Sequence, residues 1–395
     1  MITTERLYYT DCYRREFEAR VLKVEPGAQG FHVYLDRTAF YPESGGQPMD
    51  HGTLSDIPLL TLIEDGDAIV HVLERQPEGA QVQGKIDWPR RFDHMQQHTG
   101  QHVLSAAFEK KGNYKTVSFH LGAEVSSIDL DSDRLGRRQI EAAEDLANQI
   151  VFEDREVRIF FRPVAEANRL DLRKPILREG DARLVEIDNF DLSACGGTHV
   201  SRTGAIGVIA TRKVERMRGL TRIEFVCGGR ALRASRHDFE ILSEASRLLS
   251  ASSQQLPALI AKQSDELRAS LRAREKLAEK IAMVEAIGLW QAAPEKNGRK
   301  IVQRVFNEEE YWDGKKVAHK IASHPPAVAL IAVKGRPCYL YFSQSPGGAA
   351  DMGAILEQTL RKFGGKGGGT RDFAQGGGIE EARLADALTF AETLL

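Results

Sequence analysis

The chain has 395 residues, 42% hydrophobic and 28% charged, which excludes a wholly disordered chain, a collagen-like fibre and a small disulfide scaffold. Its 54 basic residues against 56 acidic ones exclude a globally basic nucleic-acid binder but leave room for a local basic face. No apolar run marks a membrane span, the start MITTERLYYT lacks a signal-peptide pattern, and the scattered Cys12, Cys195, Cys227 and Cys338 read as reduced thiols of a cytoplasmic protein.

Residues 1–90 are β-rich, with strand patterns at Phe31–Leu35 and Ala68–Leu73 and a turn signal at Glu43–Pro48, and read as a small barrel. Residues 91–230 read as α+β. Met95, His98, His102 and Ala106 fit one helix, followed by strands at Thr116–Leu121 and Ser126–Asp131, a helix over 136–152, and strands at Val157–Arg162, Leu184–Ile187 and Ile206–Arg212. Residues 231–297 read as a helical hairpin or coiled-coil linker. Leu242, Leu249 and Leu256 are spaced by seven, as are Ile260 and Leu267, while Arg274 interrupts the register and Ile281 resumes it. The interruption at Ser250–Gln255 with Pro257 predicts two helices. Residues 298–395 read as a small α/β domain, with strands at Ala327–Val333 and Cys338–Phe342 and helices at Met352–Phe363 and Ile379–Leu394. Between those helices, Gly364–Gly369 and Gly376–Gly378 read as a glycine-rich loop that does not fit the nucleotide P-loop spacing. The expected class is therefore α+β multidomain.

Chemistry concentrates in two short segments. His98-Thr99-Gly100-Gln101-His102 places two imidazoles one turn apart on a helix face. Cys195-Gly196-Gly197-Thr198-His199 offers a thiolate and an imidazole on a loop, since paired glycines disfavour a helix there. Three histidines and one cysteine suit a single zinc ion. Four protein ligands would close a structural site, whereas a catalytic one keeps a position open, and spacing leaves that choice unresolved. Thr99 stands where a HExxH metalloprotease has glutamate, so that reading is poor. His94 is either a group supporting the ligands from behind or an exposed histidine at the helix start. Arg212, Lys213, Arg216, Arg218 and Arg222 form a basic cluster with only Glu215 opposing it, and Lys366 and Arg371 belong to a smaller one.

The segments His98–Leu104 and Cys195–Val200 resemble the editing domain of alanyl-tRNA synthetases, which also stands alone as a trans-editing deacylase. Phe40–Pro48 is similar to the glycine motif of the barrel preceding that domain, Arg222–Ala231 to the strand closing it, and Gly367–Gly377 to the C-terminal globular domain, with Thr370 where proline is expected. The order of motifs matches the long form of the free-standing editing proteins. No class II aminoacylation domain precedes the barrel, so the resemblance implies editing without aminoacylation.

It implies zinc-dependent hydrolysis of seryl-tRNA(Ala), with glycyl-tRNA(Ala) as second candidate substrate and alanyl-tRNA(Ala) spared. His98, His102, Cys195 and His199 would hold the zinc. Thr116, Ser118 and His120, on the strand after the zinc helix, are candidates to read the serine hydroxyl, and Gln47 borders the acceptor end. Arg212, Lys213, Arg216, Arg218, Arg222, Lys366 and Arg371 are the candidate tRNA contacts. Dimerisation through the helices or the last domain is the candidate assembly. A non-catalytic tRNA-binding protein with a structural zinc is the alternative.

Overall fold

The computed structural model describes residues 2–307 and 313–395. The chain divides into two compact units, Met1–Ala245 and Ser246–Leu395.

In the first unit, strands Glu16–Pro26, Phe31–Leu35, Gly52–Leu54, Ile57–Asp65, Ala68–Leu73 and Gln81–Ile86 close on one another as an antiparallel barrel. Phe17, Val33, Leu35, Phe40, Leu54 and Ile69 fill it. Between two of these strands, Ser44 and Gln47 pair their backbones across Gly45 and Gly46, whose φ angles are +57° and +82°. That two-residue turn needs positive φ at both central positions, which glycine adopts without strain.

Helix Trp88–Gly112 follows at once. Asp87 caps it by accepting from the Arg90 N–H, Pro89 sits in the first turn, and Asn113, left-handed at φ 55°, ends it. Its middle turns are buried nearly all round. The antiparallel sheet of Ile209–Met217, Leu220–Cys227, Ser126–Leu130 and Thr116–Leu121, in that order, and helix Arg137–Phe152 share its core. A buried Arg91 ties this helix to the barrel. Its guanidinium holds the Asp50 carboxylate (3.0 and 3.1 Å from Nε) and the carbonyls of Cys12 and Ala39. A further antiparallel sheet, Val157–Pro163, Asp181–Ile187 and Asp191–Ala194, leads into the Cys195 loop. The strand expected at Ile206 begins at Ile209, because Thr203–Ile206 forms a 3-10 turn ended by Gly207 at φ +70°.

Helix Gly228–Leu249 crosses the boundary between the units. The break expected at 250–255 is present, with Ser252 and Gln255 forming a capping box before helix Leu256–Ala292. The second unit is built on a six-stranded sheet, ordered Glu295–Lys296, Arg299–Phe306, Ala327–Val333, Tyr339–Gln344, Phe373–Gly377 and Lys366–Gly369. Ala327–Val333 is buried along its length because alternate residues serve two cores. Val328, Leu330 and Ala332 meet helices Met352–Phe363 and Leu384–Thr393, while Ala329, Ile331 and Val333 meet helix Gly314–Ala322. Two expectations change here. The last helix starts at Leu384 rather than Ile379, after a 3-10 turn at Glu381–Arg383. The glycine-rich segment is a hairpin instead of a loop, because a Cβ at Gly367 would fall 2.4 Å from the Gly376 Cα and only glycine lets these strands approach.

Candidate metal centre

Helix Trp88–Gly112 carries His98 and His102 on one face, and the loop after Asp191–Ala194 brings Cys195 and His199 to them. The four candidate donor atoms lie within 4.8 Å of one another. Cys195 Sγ is 3.3 Å from His98 Nε2 and 3.2 Å from His199 Nε2. Ligand atoms around a tetrahedral zinc sit about 3.4–3.6 Å apart, so the spacing fits one such ion. These four residues can hold one metal ion.

The outer hydrogen bonds aim each imidazole. Thr198 N–H donates to Gln47 Oε1 (3.0 Å), which fixes the amide's orientation. The same oxygen, 2.8 Å from His98 Nδ1, can only accept, so Nδ1 carries the proton and Nε2 is left to bind. Asp191 does this for His102 Nδ1 at 3.3 Å, itself held by Arg173 (3.0 Å) and Ser193 (3.0 Å). The Thr99 hydroxyl lies 3.2 Å from His199 Nδ1 and accepts from the Val200 N–H. For three groups the electrostatics agree with this arrangement, while His102, against the effect of burial, is raised by Asp191 and Cys195. Burial opposes ionisation of Cys195, yet His98 and His199 beside it hold its thiol well below the usual range. Burial pushes His199 down to about 3, leaving a neutral imidazole as a metal ligand requires. Burial also works against Asp191, but His102 and Arg173 keep its carboxyl below its ordinary value.

The cluster borders a cavity of about 380 Å³ whose walls include Gly45, His98, Gln101, His102, Thr116 and Lys174. The Thr116 hydroxyl donates to Ser105 Oγ (2.7 Å), which leaves its lone pairs for a ligand, and Gln101 Nε2 donates to the same Ser105 (2.8 Å). Ser118 also lines the cavity, but its hydroxyl is bound to Asp129 at 2.5 Å.

Three placements differ from expectation. His120 is exposed and outside the cavity wall, although alternation sets it on the same face of its strand as Ser118. Gln47 is fully buried with its amide engaged by His98 and Thr198, so it supports the ligands from behind. His94 is buried rather than exposed and makes no hydrogen bond to a ligand among the described residues. In the basic cluster, Arg212 is paired with Asp238, Lys213 with Glu215 and Arg222 with Asp129, whereas Arg216 and Arg218 are exposed at the hairpin end. Lys366 and Arg371 are exposed on the glycine hairpin of the second unit. Asp191, Arg173, Lys174 and Gln101 were not singled out by sequence. Gln101 lies inside the HxxxH segment, whereas Asp191 is placed by the sheet that precedes Cys195, and Arg173 and Lys174 by the loop before Asp181–Ile187.

A family model described as the threonyl and alanyl tRNA synthetase second additional domain matches residues 182–224, and the DHHA1 domain model matches 297–395. The alanyl-tRNA editing protein AlaX-L of Pyrococcus horikoshii is 32% identical over 386 residues, covering 94% of this chain and 94% of its own. The chain belongs to the alanyl-tRNA editing protein family. The alanine–tRNA ligase of Pyrococcus abyssi is 32% identical over 413 residues, which cover 99% of this chain and 44% of the ligase. The editing-family chain thus spans less than half the length of that relative. Among solved structures, the C-Ala domain of Aquifex aeolicus alanyl-tRNA synthetase matches 26% of this chain and 96% of its own, at 22% identity and a TM-score of 0.24.

Proposed function

We propose that this chain is a zinc-dependent aminoacyl-tRNA deacylase that hydrolyses seryl-tRNA(Ala), with glycyl-tRNA(Ala) as a second candidate substrate that the hydroxyl-reading argument does not cover, while sparing alanyl-tRNA(Ala). The observation that carries the reading is a three-histidine, one-cysteine cluster beside a cavity into which Thr116 presents a hydroxyl. When bound, zinc supplies Lewis acidity, which can polarise an ester or make water acidic near neutral pH. Thr116 accepts a hydrogen bond from the serine hydroxyl, its own proton being given to Ser105. Alanine leaves that lone pair unpaired where the bound ester keeps water from it, which costs about 1–3 kcal/mol and separates the two esters. Lys174 and the exposed Arg216 and Arg218 offer cations to the RNA backbone, with Lys366 and Arg371 doing so from the second unit.

We further propose the division 1–90, 91–230, 231–297 and 298–395 as barrel, editing domain, helical linker and tRNA-binding domain, and a cytoplasmic location. No described helix is long and apolar enough to cross a membrane. Exposed Ile260, Leu267 and Ile281 on the long helix support a homodimer, which sedimentation would reveal.

The deciding experiment is deacylation of seryl- and alanyl-tRNA(Ala) by the unmodified chain, His98→Ala and Thr116→Ala. Loss of serine alone, abolished by His98→Ala and joined by alanine hydrolysis in Thr116→Ala, is the expected result. Binding of tRNA with no hydrolysis of either ester would favour a non-catalytic protein with a structural metal.

A further inference from the structure

Another cavity of about 440 Å³ lies in the first unit, walled by Pro48, Pro89, Arg90, His94, Arg230 and Arg233 among others. It is separate from the metal cavity, yet one turn links the two, since Gly45 borders one and Pro48 the other, with Gln47 between them bonded to His98. His94 precedes His98 by one helical turn, about 6 Å along the axis. Three guanidinium groups face the space against one carboxylate, Asp93, and that carboxylate is already gripped by Arg230 at 2.6–3.0 Å. Arg90 uses only Nε, on the Met49 carbonyl (3.2 Å), and Arg233 makes no ion pair or hydrogen bond among the described residues. Gly229 and Arg230 come from the first turn of the 22-residue helix Gly228–Leu249, the positive end of its dipole. Gly228, at φ +53°, sets that turn directly against Gln96.

The independent observation is His94. It is only 3% exposed and lines the cavity, and its Nδ1 is shielded from water without any partner. Burial and the surrounding Arg90, Arg230 and Arg91 push it down to about 3, so it stands as a neutral imidazole in a positive field. Buried polar groups without partners are uncommon, and this residue lies in the wall of a cavity whose other charged groups are mostly guanidiniums, where an anion would relieve the positive field.

We propose that this cavity binds a phosphate group of the RNA backbone, holding the acceptor strand one helical turn from the metal centre. The proposal rests on RNA being the substrate. Neighbouring backbone phosphates supply the charge, and the glycine turn between the cavities couples strand position to His98.

Two probes test it on the metal-loaded full chain. Inorganic phosphate is titrated while the imidazole Cε1–H resonance of His94, assigned with His94→Gln, is followed by NMR. A saturable shift, weakened at least tenfold in Arg90→Gln/Arg233→Gln, is expected, and an unmoved resonance overturns the anion site. Unacylated tRNA(Ala) transcript is then bound across a salt series. Arg233→Gln should lower the log–log salt slope by about one and weaken binding severalfold. Arg137→Gln, on an exposed surface elsewhere, should change neither. A phosphate-responsive His94 with an unchanged Arg233→Gln slope would mark a site for a small free anion and overturn the RNA assignment. Absence of tRNA binding by the unmodified chain would overturn the RNA reading itself, a failure distinct from a slope that ignores Arg233.

Discussion

Gly197 decides where His98 sits. A Cβ there would fall 2.2 Å from His98 Cε1, 2.4 Å from Nδ1 and 3.0 Å from Gln47 Oε1. Gly197→Ala should therefore push the imidazole off its Gln47 bond and lower metal affinity at least tenfold, read by competition with a chromophoric chelator, with the circular dichroism spectrum retained. Gln47→Ala removes the acceptor that orients His98 and should weaken metal binding about 10–100-fold in the same assay. A Gln47→Ala protein with full metal affinity and a raised KM would return Gln47 to the substrate. His71 is one of several buried histidines, with His94 and His199, that shape the pH response of folding. Burial depresses His71, which bonds Thr38 at 2.8 Å, from 6.5 to about 4. Between those values the unfolded chain holds the extra proton, so the contribution is complete above pH 6.5 and is lost as pH falls through the window, by up to ~1.4 kcal/mol per pH unit. In urea denaturation, His71→Gln should flatten the dependence of stability on pH between 4 and 6.5, and an unaltered slope would remove His71 from that role. The ligands themselves were legible because each pair lies within five residues, where spacing alone sets a shared face or loop. Asp191 was not, because strand register brings it to His102 from about 90 residues away in sequence, and Arg173 was not, because a loop held to Leu192 and Ser193 brings it there.

The helix Trp88–Gly112 joins two layers, and Arg91 is the bolt between them. Its guanidinium and the Asp50 carboxylate are both fully buried, with the remaining donors on the Cys12 and Ala39 carbonyls. Removing one partner leaves an uncompensated buried charge, so Asp50→Ala should destabilise the first unit by about 3–5 kcal/mol in urea denaturation. A loss below about 1 kcal/mol would mean that the barrel holds the helix by apolar packing alone. Strands and helices with clean periodicity were readable. Phe31–Leu35, Ala68–Leu73, Thr116–Leu121, Ala327–Val333 and Met352–Phe363 lie where alternation or an apolar stripe places them. Lys366–Gly369 was unreadable as a strand because glycine has poor β-propensity, and its pairing depends on backbone contact with Gly376 rather than on side chains. The Arg212–Arg222 cluster carries less free charge than its sequence suggests. Carboxylates from other elements, Asp129 and Asp238, neutralise part of it, and no local count of charge reveals them.

At the scale of the chain, a net charge of −2 gives no overall attraction for RNA, so the proposed function assigns capture to local basic patches. Arg216 and Arg218 lie in the first unit, and Lys366 and Arg371 in the second. The metal centre, its cavity and the barrel all belong to the first unit. On the proposed function, chemistry and part of the capture fall to different bodies of one chain, and linked binding sites multiply affinity without touching the reaction step. A fragment spanning residues 1–249, which keeps helix Gly228–Leu249 whole, should retain one metal per chain and a kcat for seryl-tRNA(Ala) within about threefold of the full chain. Its KM should rise at least tenfold, and its log–log salt slope should become shallower by about the number of phosphates the second unit contacts. The paired measurement of kcat and KM separates the possibilities. A fall in kcat at unchanged KM would place the second unit in the reaction step. A fragment equal to the full chain in both would show that the second unit contributes nothing to capture.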